Sequence, residues 1–91
     1  MFRAVGTIRF EYRNEGKQFK YDFYNLAGTP HFSFTDKRGR WFGFRRLSTG
    51  WKSVFTVEPK WPKDFIEVLY QSLEDEYQVL AEKHGFTTGI S

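Results

Sequence analysis

Four arginines and three aromatic residues fall within nine positions, Arg38-Gly39-Arg40-Trp41-Phe42-Gly43-Phe44-Arg45-Arg46, and Lys37, Trp51 and Lys52 flank them. Cations interleaved with flat rings suit a ligand that carries both phosphates and bases. An unpaired strand exposes a phosphate chain and base faces together, and stacking on an aromatic side chain is worth about 1 to 3 kcal/mol per base. Arginine serves both ends, because its planar guanidinium binds phosphate and also stacks. Lys37, Arg38, Arg40, Arg45 and Lys52 are therefore expected to meet phosphate, and Trp41 and Trp51 to stack. Tyrosine, tryptophan and arginine are also the favoured anchors of protein interfaces. The alternative is thus a protein-interaction module, a small accessory or inhibitory protein that docks a basic aromatic face on an acidic partner.

Other chemistries lack their residues. There is no cysteine, which removes thiolate nucleophiles, thiolate metal sites and a disulfide framework. The two histidines, His31 and His84, have no carboxylate at ligand spacing, so no metal is expected. Glu74-Asp75-Glu76 falls on the polar side of a helix and reads as a solvated face. No serine has a base beside it, and no glycine-rich loop opens a helix. The expectation is a protein that is not an enzyme and needs no cofactor. Its net charge of +3 is unevenly spread. Residues 1–63 hold 13 lysines and arginines against 5 acids, and residues 64–91 hold 1 against 6. Such asymmetry points to one face that meets a polyanion or an acidic surface and another that meets solvent or a basic partner.

The elements that must position these groups follow from periodicity. In Val5 to Arg13, Ile8, Phe10 and Tyr12 alternate with polar neighbours. In Gln18 to Leu26, Phe19, Tyr21 and Phe23 alternate with Lys20, Asp22 and Tyr24. Together they form a hairpin closed by Asn14-Glu15-Gly16. A third strand spans His31 to Thr35, a fourth Arg40 to Leu47 and a fifth Trp51 to Val57, before Pro59 and Pro62 end the pairing. Phe42 and Phe44 read as core, which leaves Trp41, Arg45 and Leu47 outward, with Trp51 joining them from the neighbouring strand. Gly43, between Trp41 and Arg45, reads either as a notch for a base or as a bulge. From Lys63 to His84 the period changes to that of a helix, with Ile66, Tyr70, Leu73, Tyr77 and Leu80 in one stripe widened by Phe65 and Leu69. The fold class is α+β. A four- to five-stranded antiparallel meander (strands within about 4–57) precedes one long C-terminal helix (about 63–84) packed on one sheet face, with a frayed tail over 86–91.

The chain of 91 residues and 10.9 kDa reads as one domain with one core. Nothing in it approaches the roughly 18 apolar residues of a membrane span, and Met1 to Gly6 has no apolar leader. A soluble protein of the cytoplasm, or of a nucleoid or nucleus, is expected. A 22-residue helix is about 33 Å long, whereas strands of six or seven residues reach about 20 Å. One helix end is therefore expected to overhang the sheet, and its Tyr77 and Leu80 to need a second chain, making a homodimer.

Residues 30–78 resemble the PUR repeat. The resemblance rests on Lys37-Arg38-Gly39-Arg40-Trp41-Phe42-Gly43-Phe44-Arg45 leading from one strand into the next, a further strand, and then Phe65, Leu69 and Glu74-Asp75-Glu76-Tyr77 in a helix. It implies four strands and a helix per repeat, two repeats intertwined through their helices, and single-stranded DNA or RNA bound on the curved sheet. The chain departs from the family pattern at Asp36, at Gly43 and in having one strand more. The Gly-x-x-Phe-Gly-Phe spacing also resembles RNA-recognition motifs and cold-shock domains, but the element order excludes both.

Overall fold

The computed structural model describes residues 2–26, 28–35, 38–54 and 60–85. Five strands, β1 (Phe2–Tyr12), β2 (Glu15–Leu26), β3 (Thr29–Thr35), β4 (Trp41–Leu47) and β5 (Gly50–Ser53), precede helix α1 (Lys63–His84). The strands pair antiparallel in chain order, so the sheet is a meander with β1 and β5 at its edges. The class is α+β, with the helix on one face of the sheet. Lys37, the predicted continuation of β5 to Val57 and the predicted frayed tail lie outside the described residues.

Alternation decides the faces. Ile8, Tyr21, Phe23, Phe32, Phe34 and Phe44 are buried under α1, which contributes Phe65, Leu69, Leu73, Tyr77 and Leu80 to the same core. The helix stripe is thus centred on Phe65, Leu69 and Leu73. Tyr70 flanks it, its ring edge-on to Phe44 at 5.7 Å, and Ile66 is half-buried. Rings interlock across the strands, with Tyr21 edge-on to Phe32 at 5.0 Å and Phe23 tilted against Phe32 at 4.9 Å.

The hairpin turn is Arg13-Asn14, two residues with φ of 51° and 64°, rather than the predicted Asn14-Glu15-Gly16. Positive φ at both positions gives a turn whose twist matches that of the flanking strands. Glu15 and Gly16 consequently belong to β2, which reaches 12 residues, while β1 reaches 11. Strands of that length span about 36 Å, which removes the predicted overhang. Helix α1 runs antiparallel to β1 along its whole length. Tyr12 donates a hydrogen bond to Asp64 at 2.9 Å at one end, and Phe2 packs on His84 at 4.7 Å at the other. Tyr77 and Leu80 are 2% and 6% exposed within a single chain, so neither is available to a second one.

Gly6 explains the close approach of β1 to the helix. A Cβ there would lie 2.6 Å from the Tyr21 hydroxyl, so the Tyr21 ring crosses over Gly6 and donates to Glu76 Oε2 at 2.6 Å. Burial, that hydrogen bond and the Glu76 charge all push the Tyr21 phenol up. At the far side of the sheet Trp61 closes the core against Phe42 and Phe65.

Phe32 is fully buried at the centre of the ring cluster. Phe32→Ala is expected to cost about 3 to 5 kcal/mol by loss of transfer energy plus a cavity. Val5→Ala, on a side chain 77% exposed, is expected to cost under about 0.5 kcal/mol. Urea melts of the two variants check the contrast.

Candidate nucleic-acid interface

Among the described residues no helix lies on the opposite face of the sheet, whose residues align in rows across the strands. One row is set by the registers Arg3↔Tyr24, Tyr24↔His31, His31↔Arg45 and Arg45↔Lys52. It crosses all five strands, a span of about 19 Å. Within it Tyr24 and His31 are stacked, with centroids 4.7 Å apart and planes within 6°. The His31 Nδ1–H donates to the Thr29 carbonyl at 2.9 Å, which holds the imidazole in that orientation. Arg3, Arg45 and Lys52 are exposed, and no described carboxylate pairs with them. Arg9 and Lys20 belong to the same face, where Asp22 and Glu11 are the described acids. A shallow depression of about 490 Å³ lies beside the row, lined by Val5, Thr7, Lys20, Asp22, Ser33 and Thr35.

The predicted site residues separate. Trp41, Arg45 and Lys52 share this open face. Trp51 does not. Its register partner is Arg46, which places it on the covered face, where its indole packs against Phe32 and meets Tyr77 edge-on. The sequence expectation for Trp51 failed because the β4–β5 turn is Ser48-Thr49, with Leu47 opposite Gly50, and that register sets the parity of β5. Arg40 turns back over the Phe42 ring, 5.8 Å from its centroid, on the covered side. Arg38 is exposed in the β3–β4 connection.

Gly43 is neither a bulge nor an open notch. It pairs in regular register with Ser33, and its carbonyl accepts from the Val54 N–H at 3.0 Å. A Cβ at Gly43 would lie 2.5 Å from the Trp41 Cη2 and 2.7 Å from the Val54 Cγ2. The missing side chain therefore makes room for the Trp41 indole, whose six-membered ring lies over Gly43 and which is 51% exposed. The sequence reading missed Arg3, Tyr24 and His31. Each stands on the polar parity of its strand, but only the registers bring them into one row with Arg45 and Lys52.

Trp51 and Arg46 have a different task. The Glu74 carboxylate of α1 accepts four hydrogen bonds: to Oε1 from Arg46 Nε at 2.6 Å and Trp51 Nε1 at 3.0 Å, and to Oε2 from Arg46 Nη2 at 3.2 Å and Gln78 Nε2 at 2.7 Å. Arg46 also lies over the Tyr77 ring at 5.2 Å. Burial drives the Glu74 carboxyl upward, but the bonds from Arg46, Gln78 and Trp51 outweigh it and hold the group below the usual carboxylate range. This cluster ties β4 and β5 to the helix, so the fourth arginine of the basic segment is structural.

The two faces of the molecule differ in charge. Arg3, Arg9, Lys20, Arg45 and Lys52 crowd the open face, while Glu67, Asp75 and Glu82 are exposed on the outer side of α1. Among the described residues no group of acids, histidines or cysteines could hold a metal ion, and no helix is long and apolar enough to cross a membrane. No family model matches the chain, and neither a curated protein nor a solved structure is significantly similar to it.

Two outcomes follow from this geometry. Gly43→Ala is expected to lift the indole off the sheet, raising acrylamide quenching of tryptophan emission and costing about 1 to 3 kcal/mol in a urea melt. Unchanged quenching would show that the indole does not rest there. Because the folded-state pKa of Glu74 is depressed, its contribution to stability is full above the ordinary carboxylate range and is lost as pH falls from that range through the lower folded-state value. Glu74→Gln is expected to flatten the acid limb of the stability-versus-pH curve, measured as Tm from neutral to acid pH.

Proposed function

We propose that the protein binds single-stranded DNA or RNA across the open face of its sheet, in the cytoplasm or in a nucleoid or nucleus. The observation that carries this reading is the row Arg3, Tyr24, His31, Arg45, Lys52, in which cations flank a stacked pair of rings on one uncovered surface. A strand laid along the row meets guanidinium or ammonium groups with its phosphates. Its bases find the Tyr24–His31 pair and the flat Trp41 indole. Lys20 and Asp22 border the depression beside the row, where Asp22 can accept from an exocyclic base amine and Lys20 can meet a phosphate. The acidic outer side of α1 repels the same polyanion and so favours one face of approach. The similarity of residues 30–78 to the PUR repeat points the same way.

An acidic protein partner is the competing ligand. A docking anchor for protein calls for a compact apolar knob rimmed by charge, whereas on the open face the Trp41 indole is folded over Gly43 within a basic surface that extends across five strands. That shape favours an extended polyanion.

Titration of a labelled oligonucleotide at several salt concentrations tests the proposal. With five phosphates neutralised by Arg3, Arg9, Lys20, Arg45 and Lys52, log affinity against log salt is expected to fall with a slope of about −3.5. Arg45→Ala is expected to reduce that slope by about 0.7. Trp41→Ala and Tyr24→Ala are each expected to weaken binding of all sequences by about 1 to 3 kcal/mol. Trp51→Phe is expected to leave affinity unchanged while lowering Tm. Absence of binding at low salt would overturn the proposal.

A further inference from the structure

The outer edge of β1 is the longest unpaired strand edge among the described residues. Its eleven residues, Phe2 to Tyr12, hold an unbroken register with β2, with no bulge and no proline. An edge of that length presents a row of backbone donors and acceptors, and natural sheets normally blunt or pair such edges. We infer that a second copy of this chain pairs with it, β1 to β1 and antiparallel, about a two-fold axis at Thr7.

The register follows from charge. In a symmetric antiparallel pair, directly opposed residues share a face, so the axis passes beside one residue of β1. With the axis at Thr7, Arg3 stands opposite the partner's Glu11 at both ends, and Thr7 stands opposite its own copy. An axis at Gly6 would oppose Arg3 to Arg9, and an axis at Ile8 would oppose Arg3 to Arg13. Arg3 and Glu11 are both exposed on the open face, and no described residue bonds to either. The Thr7 register is therefore the one that gives each of them a partner of opposite sign, and opposed charges of one sign across strands are destabilising.

A second observation concerns apolar exposure. Of the three large apolar side chains most exposed among the described residues, Val5 at 77% belongs to this strand and Val79 at 56% to α1. At 100° per residue Val68, Ser72 and Val79 lie on the side of the helix away from Glu74. Glu74 faces β5 through Trp51, so those three turn toward the outer side of β1. Helix α1 runs along β1, and its midpoint lies near Thr7. The two-fold axis thus brings two antiparallel helices together on their Val68, Ser72 and Val79 sides, beneath a continuous sheet of ten strands. Both open faces then lie on the same side of that sheet. The pairing stands whether or not the open face binds nucleic acid.

Because the chain has no cysteine, one introduced thiol reports the register directly. Thr7→Cys is expected to form a disulfide-linked dimer under mild oxidation, much faster than Lys20→Cys, an exposed open-face position one strand further in. Cross-linking of Thr7→Cys no faster than that of Lys20→Cys would overturn the inference. Sedimentation equilibrium at micromolar concentration is expected to give a dimer for the unaltered chain. Arg3→Glu and Glu11→Arg are each expected to raise the dimer dissociation constant by on the order of tenfold, and the double variant to restore it. Circular dichroism establishes that each variant is folded. A monomer throughout, or a double variant no tighter than the single ones, would also overturn it.

Discussion

Everything on the exposed surface depends on how the sheet buries one set of alternate residues against α1. Ile8, Tyr21, Phe23, Phe32, Phe34 and Phe44 can leave water together only by facing the Phe65, Leu69, Leu73, Tyr77 and Leu80 stripe. Each buried side chain of this size is worth about 1.5 to 3 kcal/mol. A slip of one residue in any of these strands would turn its buried side chains to solvent and bring its outward set to the core. Arg3, Tyr24, His31, Arg45 and Lys52 are therefore held outward by what lies behind them. The open face is the complement of the core.

The carboxylates that border the covered side are paired, whereas the buried Asn25 Oδ1 has no partner among the described residues. Glu74 accepts bonds from Arg46, Trp51 and Gln78, and Glu76 accepts from Tyr21. These bonds sit at the flanks of the apolar stripe, where the carboxylates retain some water and the cost of desolvation is moderate. They fix the tilt of the helix on the sheet: Glu74 ties it to β4 and β5, and Glu76 to the ring that crosses Gly6. The acids left over on α1 face solvent, which separates the charges of the chain into a basic sheet face and an acidic helix face.

The basic-aromatic segment from Arg38 to Arg46 illustrates how closely related residues divide between two tasks. Arg45 faces outward and Arg46 faces Glu74, because adjacent positions on a strand point to opposite sides. Trp41 lies on the open face and Trp51 in the core by the same rule, applied through a two-residue turn. Gly43 matters for the space it leaves, which the neighbouring indole fills.

The element order, the alternation of β1 through β4 and the helix from Lys63 to His84 were legible in the chain itself, since hydrophobic period and proline placement act locally. So was the outward placement of Trp41 and Arg45. Strand lengths and registers were not. Predicted strands of six or seven residues left one helix end unsupported, which is why Tyr77 and Leu80 looked like dimer residues. The actual β1 begins at Phe2, which packs on His84, and together with β2 it has the length to cover the helix. Arg3, Tyr24 and His31 carry no local mark of a shared role, because they are separated in the chain and meet only through backbone ladders between strands. Local sequence thus determined which residues could face outward, and long-range pairing decided which of them stand side by side.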